Sequence, residues 1–393
     1  MKSVKLRSGK LGKFRPGHPW IYKEQILKTA AAIPPGELVL VLGPDGKFMG
    51  RGYYNPRSEI SARILTFDNE AVDKRFFDAR IKTAFEKRKT LLRYTNAIRA
   101  VFSEADGLPG LIVDLYSGTA VFQILTLGME RLKPVILESI KGVLRPDYIY
   151  EKSDTAHRRI EGMKALKKWW GATGLTEIEI SEGKARFIVD IENGHKTGFY
   201  LDQRKSRMAI GAFSKGKKVL DLFSYTGGFS IMAAVYGAAA VRGMDIKNEW
   251  LDLARRNAAL NGVEGRAEFV EGDAFKALRN IYNSGEKFDI IIIDPPSFVK
   301  AKSTIPSASR GYKELNLTAM KALVDGGILA TFSCSHHMSM GRFSSIVKSA
   351  ARDARKTMTI LKRCHQAEDH PIAKSIPETE YLKGYFLRIN SIL

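Results

Sequence analysis

The stretch Lys218-Val219-Leu220-Asp221-Leu222-Phe223-Ser224-Tyr225-Thr226-Gly227-Gly228-Phe229 is an apolar run that ends at an acid and passes through a glycine-bearing turn. A helix-compatible segment, residues 229–236, follows. That order predicts the first strand–turn–helix of a doubly wound sheet, where ligands bind outside the carboxyl ends of the strands. Glycines on such a turn let the backbone come close to a ligand, since no Cβ intervenes. The turn lacks the G-x-G-x-x-G of a dinucleotide site. Asp221 would also repel a pyrophosphate, and it suits a ligand carrying an amine or a cation.

Four more strand ends follow downstream. Ala240-Val241-Arg242-Gly243-Met244-Asp245 reads as a second strand, its terminal acid placed to hold ribose hydroxyls. Residues 267–272 make a third, ending at Asp273-Ala274-Phe275. Phe288-Asp289-Ile290-Ile291-Ile292-Ile293 is a fourth, apolar as a strand covered on both faces must be, and it runs into Asp294-Pro295-Pro296-Ser297-Phe298. Residues 327–332 form a fifth, ending at Ser333-Cys334-Ser335. Helical patterns such as residues 248–260 separate them. These residues resemble the class I S-adenosylmethionine-dependent methyltransferases, an α/β, Rossmann-like fold. The resemblance implies that Asp221, Gly227 and the adjoining Phe223 hold the methionine part of the cofactor, Asp245 the ribose and Asp273 the adenine.

A chain of 393 residues with 44% hydrophobic content has material for two or three domains. Its two cysteines, Cys334 and Cys364, form no C-x-x-C pair, which argues against a disulfide framework and a zinc site. The basic amino terminus lacks the apolar core of a signal peptide. Residues 222–241 carry no charge, yet their glycines and hydroxyls fit the strand–turn pattern better than a membrane span. A cytoplasmic protein with no membrane partner is expected. The net charge of +21, from 63 Lys+Arg and 42 Asp+Glu, favours a polyanion partner through counterion release. An ion-pair-rich surface would need both signs in balance, so nucleic acid is the better reading.

Residues 1–28 hold eight Lys or Arg against the single acid Glu24, interleaved with Phe14, His18, Trp20 and Tyr22. Strands are expected at 37–42, 48–54 and 60–67, with Asp45-Gly46 as a hairpin turn. Residues 1–70 are therefore similar to a PUA domain, an RNA-binding β-barrel. Next comes a helix with Phe77, Ile81, Ala84, Phe85 and Leu92 on one face. Strands at 121–127 and 148–150 and a helix at 132–143 suggest a middle α/β domain over residues 71–188, in which Glu104, Asp106, Asp114 and Asp154 are not at metal-ligand spacing and turns or caps explain most of them. Residues 189–393 form the methyltransferase domain.

Asn193-Gly194-His195-Lys196-Thr197-Gly198-Phe199-Tyr200-Leu201-Asp202-Gln203-Arg204 is too polar for a bare linker. With Asp294-Pro295-Pro296, Gly311-Tyr312-Lys313, Thr331-Phe332-Ser333-Cys334-Ser335, Gln366-Ala367-Glu368-Asp369-His370-Pro371 and Tyr381-Leu382-Lys383-Gly384, it resembles a narrower group over nearly the whole chain. That group is the PUA-bearing 5-methylcytosine methyltransferases of large-subunit ribosomal RNA. The resemblance implies S-adenosylmethionine as cofactor, ribosomal RNA as partner, Cys334 as nucleophile with Asp294 beside it, and a cofactor contact at Gln203. Pro295 and Pro296 would make a stiff turn for a flipped base. One departure stands out: Ser297 and Phe298 follow the prolines, where better-studied RNA cytosine-5 enzymes carry a second cysteine. Two alternatives stay open, exocyclic-amine methylation of guanine or adenine and a basic RNA-binding protein without catalysis. A homodimer is also left open.

Overall fold

The computed structural model describes residues 1–9, 17–27, 32–299 and 301–392. Phe14, named above among the aromatic residues, lies outside them, as do residues 10–16 and 28–31 of the basic amino-terminal segment. The chain divides into two compact units. One comprises Met1–Ile180, Val189–Leu201 and Glu368–Thr379, the other Ser181–Ile188, Asp202–Ala367 and Glu380–Leu393.

The first unit contains two five-stranded sheets. Strands β1 (Lys2–Lys5), β2 (Trp20–Ile21), β3 (Glu37–Leu42), β4 (Phe48–Tyr54) and β5 (Ala62–Thr66) run in the order β1-β3-β4-β5-β2. The basic amino-terminal segment thus supplies both edge strands, β1 pairing parallel to β3 and β2 antiparallel to β5. β6 (Ala97–Phe102), β7 (Leu111–Tyr116), β8 (Thr119–Ile124), β9 (Tyr148–Ser153) and β10 (Leu166–Trp169) form the second sheet, in the order β10-β9-β8-β7-β6. The expected strand at 121–127 stops at Ile124, and Leu127 opens a short helix.

Two expectations for this unit are corrected. The helix carrying Phe77, Ile81 and Ala84 runs Lys74–Glu86, so Leu92 falls in the following 3-10 turn and is 42% exposed, while its neighbour Leu91 is buried. Asp106 and Asp114 are more than turn or cap residues. Asp106 is buried against Arg88 at 2.6 Å and Asp114 against Arg99 at 2.8 Å.

β11 (Glu177–Glu182) and β12 (Ala185–Asp190) form a two-stranded sheet. The second unit is organised on β13 (Lys218–Leu222), β14 (Ala240–Asp245), β15 (Ala267–Glu271), β16 (Phe288–Ile293), β17 (Leu323–Ser333), β18 (Lys356–His365) and β19 (Lys383–Ser391). Their order is β15-β14-β13-β16-β17-β19-β18. The first five pair in parallel, and β19 returns antiparallel between β17 and β18. The order reverses at β13, which makes the β13/β16 boundary the topological switch point. Ile290 to Ile293 are fully buried, each gaining about 1.5–3 kcal/mol over an exposed side chain, so β16 is a rigid base for the turn at its end. The helices Gly228–Val235, Asn248–Leu260, Ala274–Ser284 and Ile305–Ala322 connect the parallel strands. A further helix, Arg204–Ser214, is fixed where Arg207 makes a two-pronged contact with Glu182 at 2.8 and 2.7 Å.

Candidate active site

β13 delivers Asp221 one residue before its end, fully buried. Its Oδ2 accepts from Ser230 Oγ at 2.6 Å and Ser230 N at 3.1 Å, and its Oδ1 meets no donor. Burial is the main cause that pushes this carboxyl up to about 7, with the acids Asp294 and Asp245 adding to it. The turn beyond is bent in an unusual way. Phe223 (φ 67), Tyr225 (φ 51) and Gly227 (φ 83) all take the left-handed region, which bulky residues avoid at a cost of about 1–3 kcal/mol each. Ser224 N donates to Met244 O at 2.7 Å and Tyr225 N to Asp245 Oδ2 at 2.9 Å, so the turn is tied to the end of β14. At Gly227 a Cβ would lie 3.2 Å from both Ala254 Cβ and Phe269 Cε1, a tight contact that adds to the left-handed φ in favouring glycine. The buried hydroxyls Ser224 Oγ and Thr226 Oγ1 also lack partners within the protein.

Asp245 is half-buried at the end of β14. Asp273, just past β15, accepts from Lys276 N at 2.9 Å and caps the helix that follows. These acids stand at consecutive strand ends, as expected from the sequence. Orphaned buried oxygens cost free energy unless a ligand satisfies them. Asp221 Oδ1, Ser224 Oγ and Thr226 Oγ1 fit the amine and hydrogen-bonding groups of an S-adenosylmethionine molecule held along this edge.

The neighbouring strand ends form a second corner. Asp294 follows β16, and Gln203 Nε2 donates to its Oδ2 at 2.9 Å, so Gln203 sits beside Asp294. Pro295 is buried and Pro296 exposed. Cys334 follows β17, which pairs with β16 from Ile293 opposite Thr331 downward. Its Sγ lies 4.0 Å from the Pro295 carbonyl, and the thiol is partly exposed. Two hydroxyl pairs pin these turns: Ser297 Oγ to Ser335 Oγ at 2.9 Å, and Tyr312 O–H donating to Ser333 Oγ at 2.9 Å. Burial pushes the Tyr312 phenol up to about 12, so it acts as a donor at neutral pH. Cys364 is different: it is buried on β18, its thiol pushed up by burial to about 11.

Sequence reasoning passed over Phe298 and Lys383 as site residues. The Phe298 ring lies 6.5 Å from Phe223, 6.2 Å from Phe275 and 4.9 Å from Tyr312, an aromatic wall joining the two corners. Its place directly after Asp-Pro-Pro-Ser was the available signal. A cavity of about 300 Å³ at the opposite, amino ends of β13–β16 involves none of these residues. Lys218 and Arg242 on its wall are bonded to Glu286 at 2.7 and 2.9 Å, which marks it as structural. Among the described residues no group of three or more His, Cys, Asp or Glu side chains is arranged to hold a metal, and no helix is long and apolar enough to cross a membrane.

The sequence matches the S-adenosylmethionine-dependent methyltransferase family over residues 156–382 and a PUA-like domain over residues 4–67. It is 42% identical to the ribosomal RNA large subunit methyltransferase I of Aeromonas salmonicida, over 94% of this chain and 95% of that protein. The enzymes of the same name from Alteromonas mediterranea, at 41%, and Escherichia coli, at 39%, align over 94% and 95% of this chain and the same shares of theirs. Among solved structures, a methyltransferase complexed with SAH superposes with a TM-score of 0.86, at 21% identity over 99% of this chain and all of that one. A SAM-dependent methyltransferase from Streptococcus mutans gives 0.84 at the same identity and coverage. A buried acid with one open oxygen, a left-handed turn and acid-tipped parallel strands thus coincide with a family match over more than half the chain, and the protein belongs to the S-adenosylmethionine-dependent methyltransferases, in the group that carries an amino-terminal PUA-like domain.

Proposed function

We propose that the protein transfers a methyl group from S-adenosylmethionine to carbon 5 of a cytosine in large-subunit ribosomal RNA, through a covalent adduct with Cys334. The observation that carries this reading is the partly exposed Cys334 thiol, 4.0 Å from the Pro295 carbonyl of the Asp294-Pro295-Pro296 turn. Exocyclic-amine methylation needs no thiol at that place.

S-adenosylmethionine supplies an electrophilic methyl group. In this reading Asp221, Phe223 and Gly227 hold its methionine part, Asp245 the ribose and Asp273 the adenine, while Gln203 lies alongside and orients Asp294. Carbon 5 of cytosine is a weak nucleophile. The Cys334 thiolate adds to carbon 6, which turns carbon 5 into the nucleophile of an enamine, and one hard step becomes two easier ones. Asp294, in its protonated form, gives a hydrogen bond or proton to the ring as the thiolate adds. The Pro295-Pro296 turn is stiff, and its exposed Pro296 offers a ledge for a base taken out of its stack. Carbon 5 takes the methyl group as the methyl's bond to the sulfonium sulfur breaks, leaving S-adenosylhomocysteine. The carbon-5 proton then passes to solvent, its electron pair breaks the carbon–sulfur bond and frees the Cys334 thiolate, and the ring returns its added proton to Asp294.

The RNA partner is proposed from the names of the relatives, the PUA-like module and the charge of +21. We assign the division of labour to residues 1–70, 71–188 and 189–393, with RNA binding in the first and transfer in the last. The same reading places the enzyme in the cytoplasm and allows a homodimer, which analytical ultracentrifugation reads out. The deciding experiment incubates the protein with labelled S-adenosylmethionine and unmodified large-subunit ribosomal RNA, followed by nucleoside mass spectrometry. 5-Methylcytosine is expected. N-methylguanine or N-methyladenine would replace this chemistry with exocyclic-amine transfer. RNA binding without product would leave a non-catalytic RNA-binding protein.

A further inference from the structure

Lys383 opens β19 directly across from Ser333, the residue before Cys334. Its side chain is buried, and its Nζ donates to the Ser335 carbonyl at 2.8 Å and the Met338 carbonyl at 2.6 Å. Those two carbonyls bracket His336 and His337, and Met338 N closes the same loop onto Ser335 O at 3.1 Å. The neighbouring Gly384 makes this close approach feasible, because a Cβ there would lie 2.2 Å from Phe332 Cδ1. The lysine is thus built into the loop that leaves the thiol.

An ammonium group carries three N–H donors, and the two carbonyls occupy two of them. Neutral carbonyls supply no counter-charge, and a buried cation is costly without one. Burial accordingly pulls Lys383 down to about 8, and the charges opposing that pull are Cys334 first and then Glu380. Other ionisable groups lie nearby: His336 and His337 in the loop itself are exposed, the former with its ring 5.5 Å from that of Tyr381. His365, across from Lys383 on β18, is exposed and faces Glu380 at 3.4 Å. The Tyr312 phenol is neutral at working pH, and Asp294 is engaged by Gln203.

We propose that Lys383 is a positioning residue for Cys334: it ties down the loop after the thiol and supplies the positive charge that favours the thiolate. This rests on reading Cys334 as the nucleophile, and it adds the group that keeps it reactive. When the thiol ionises, its proton leaves to water and the sulfur gains the ammonium as its counter-charge. No co-reactant is required.

The test uses the full-length protein and needs neither RNA nor turnover. Lys383→Met removes charge and donor; Lys383→Gln removes the charge but keeps a donor for the carbonyls. Iodoacetamide alkylation is followed against pH, with peptide mass spectrometry separating Cys334 from the slow, buried Cys364. S-adenosylmethionine binding by calorimetry reports whether each variant is folded. We expect the alkylation midpoint of Cys334 to rise by about one pH unit in both variants, so that the rate at neutral pH falls about tenfold. A tether without an electrostatic role would change accessibility, and with it the limiting rate, but leave the midpoint where it is. An unmoved midpoint in both variants overturns the proposal. If Lys383→Met does not fold, Lys383→Gln decides alone. Failure of the cytosine-5 reading shows up elsewhere, as absence of 5-methylcytosine, so the two outcomes stay distinct.

Discussion

In the first unit Asp114 is fully buried and gripped by Arg99 through two bonds of 2.8 Å; in the second, Asp221 is equally buried and its Oδ1 meets no donor at all. The residue type and the burial are the same, and the neighbour differs. An acid that closes on a guanidinium is part of the framework, since its desolvation is offset on the spot. An acid buried without that partner costs stability for as long as the site lacks a ligand, and such a group is a candidate for function. The same contrast recurs at other residues. Asp106 with Arg88 and Glu161 with Arg63 repeat the closed arrangement, while Ser224 Oγ, Thr226 Oγ1 and Gln203 Oε1 repeat the open one.

The contrast can be broken most decisively at Cys334. If the strand ends of the second unit carry reaction and not stability, Cys334→Ala should lose turnover by several orders of magnitude. Cofactor affinity and melting temperature should barely move, because the lost interaction exists only along the reaction path. Single-turnover methylation beside calorimetry checks this, and an active alanine variant that still makes 5-methylcytosine would defeat the mechanism. The mirror experiment is Arg99→Ala. Removing one partner of a buried pair leaves Asp114 uncompensated and should cost about 3–5 kcal/mol in urea denaturation. S-adenosylmethionine affinity should be unaffected in the protein that remains folded. Asp245→Ala comes next: loss of hydrogen bonds to a charged group, worth about 1.5–3 kcal/mol, should weaken cofactor binding about tenfold or more by calorimetry. Unchanged affinity would remove Asp245 from the site.

Which of these features the sequence reveals follows from how local their causes are. Strand ends are legible because an apolar run and the acid that ends it are adjacent in the chain, and the helix at Asn248–Leu260 shows in its own periodicity. Edge strands β1 and β2 are not, since a basic segment becomes a strand only through partners more than thirty residues away. Arg99 and Asp114 look like ordinary polar residues until β6 and β7 pair and bring them together. Lys383 is the extreme case. Its motif was visible, yet its closeness to Cys334 depends on β19 returning antiparallel beside β17, a connection that spacing does not encode.

The smallest expected effect is the most specific to the open acid. Asp221 has its folded-state carboxyl raised to about 7 from an ordinary value of 3.8. Between those values the unfolded chain has released the proton and the folded chain still holds it, so stability without ligand falls as pH rises from about 4 to 7 and levels off above. A ligand amine prefers the ionised carboxylate, so the cofactor should bind better as pH rises through 7 and should release a proton on binding near pH 6. An α-amino group loses its own charge near pH 8, which caps the gain. Affinity should therefore peak between about pH 7 and 8 and be roughly five- to tenfold lower at pH 6. Calorimetry in buffers of different ionisation enthalpy measures both the affinity and the proton count. Asp221→Asn cannot ionise, so it should lose the rising limb and the proton release, and its stability should no longer fall between pH 4 and 7. If the parent shows neither proton release nor pH-dependent affinity, Asp221 does not meet the amine, and its open oxygen needs another explanation than the cofactor.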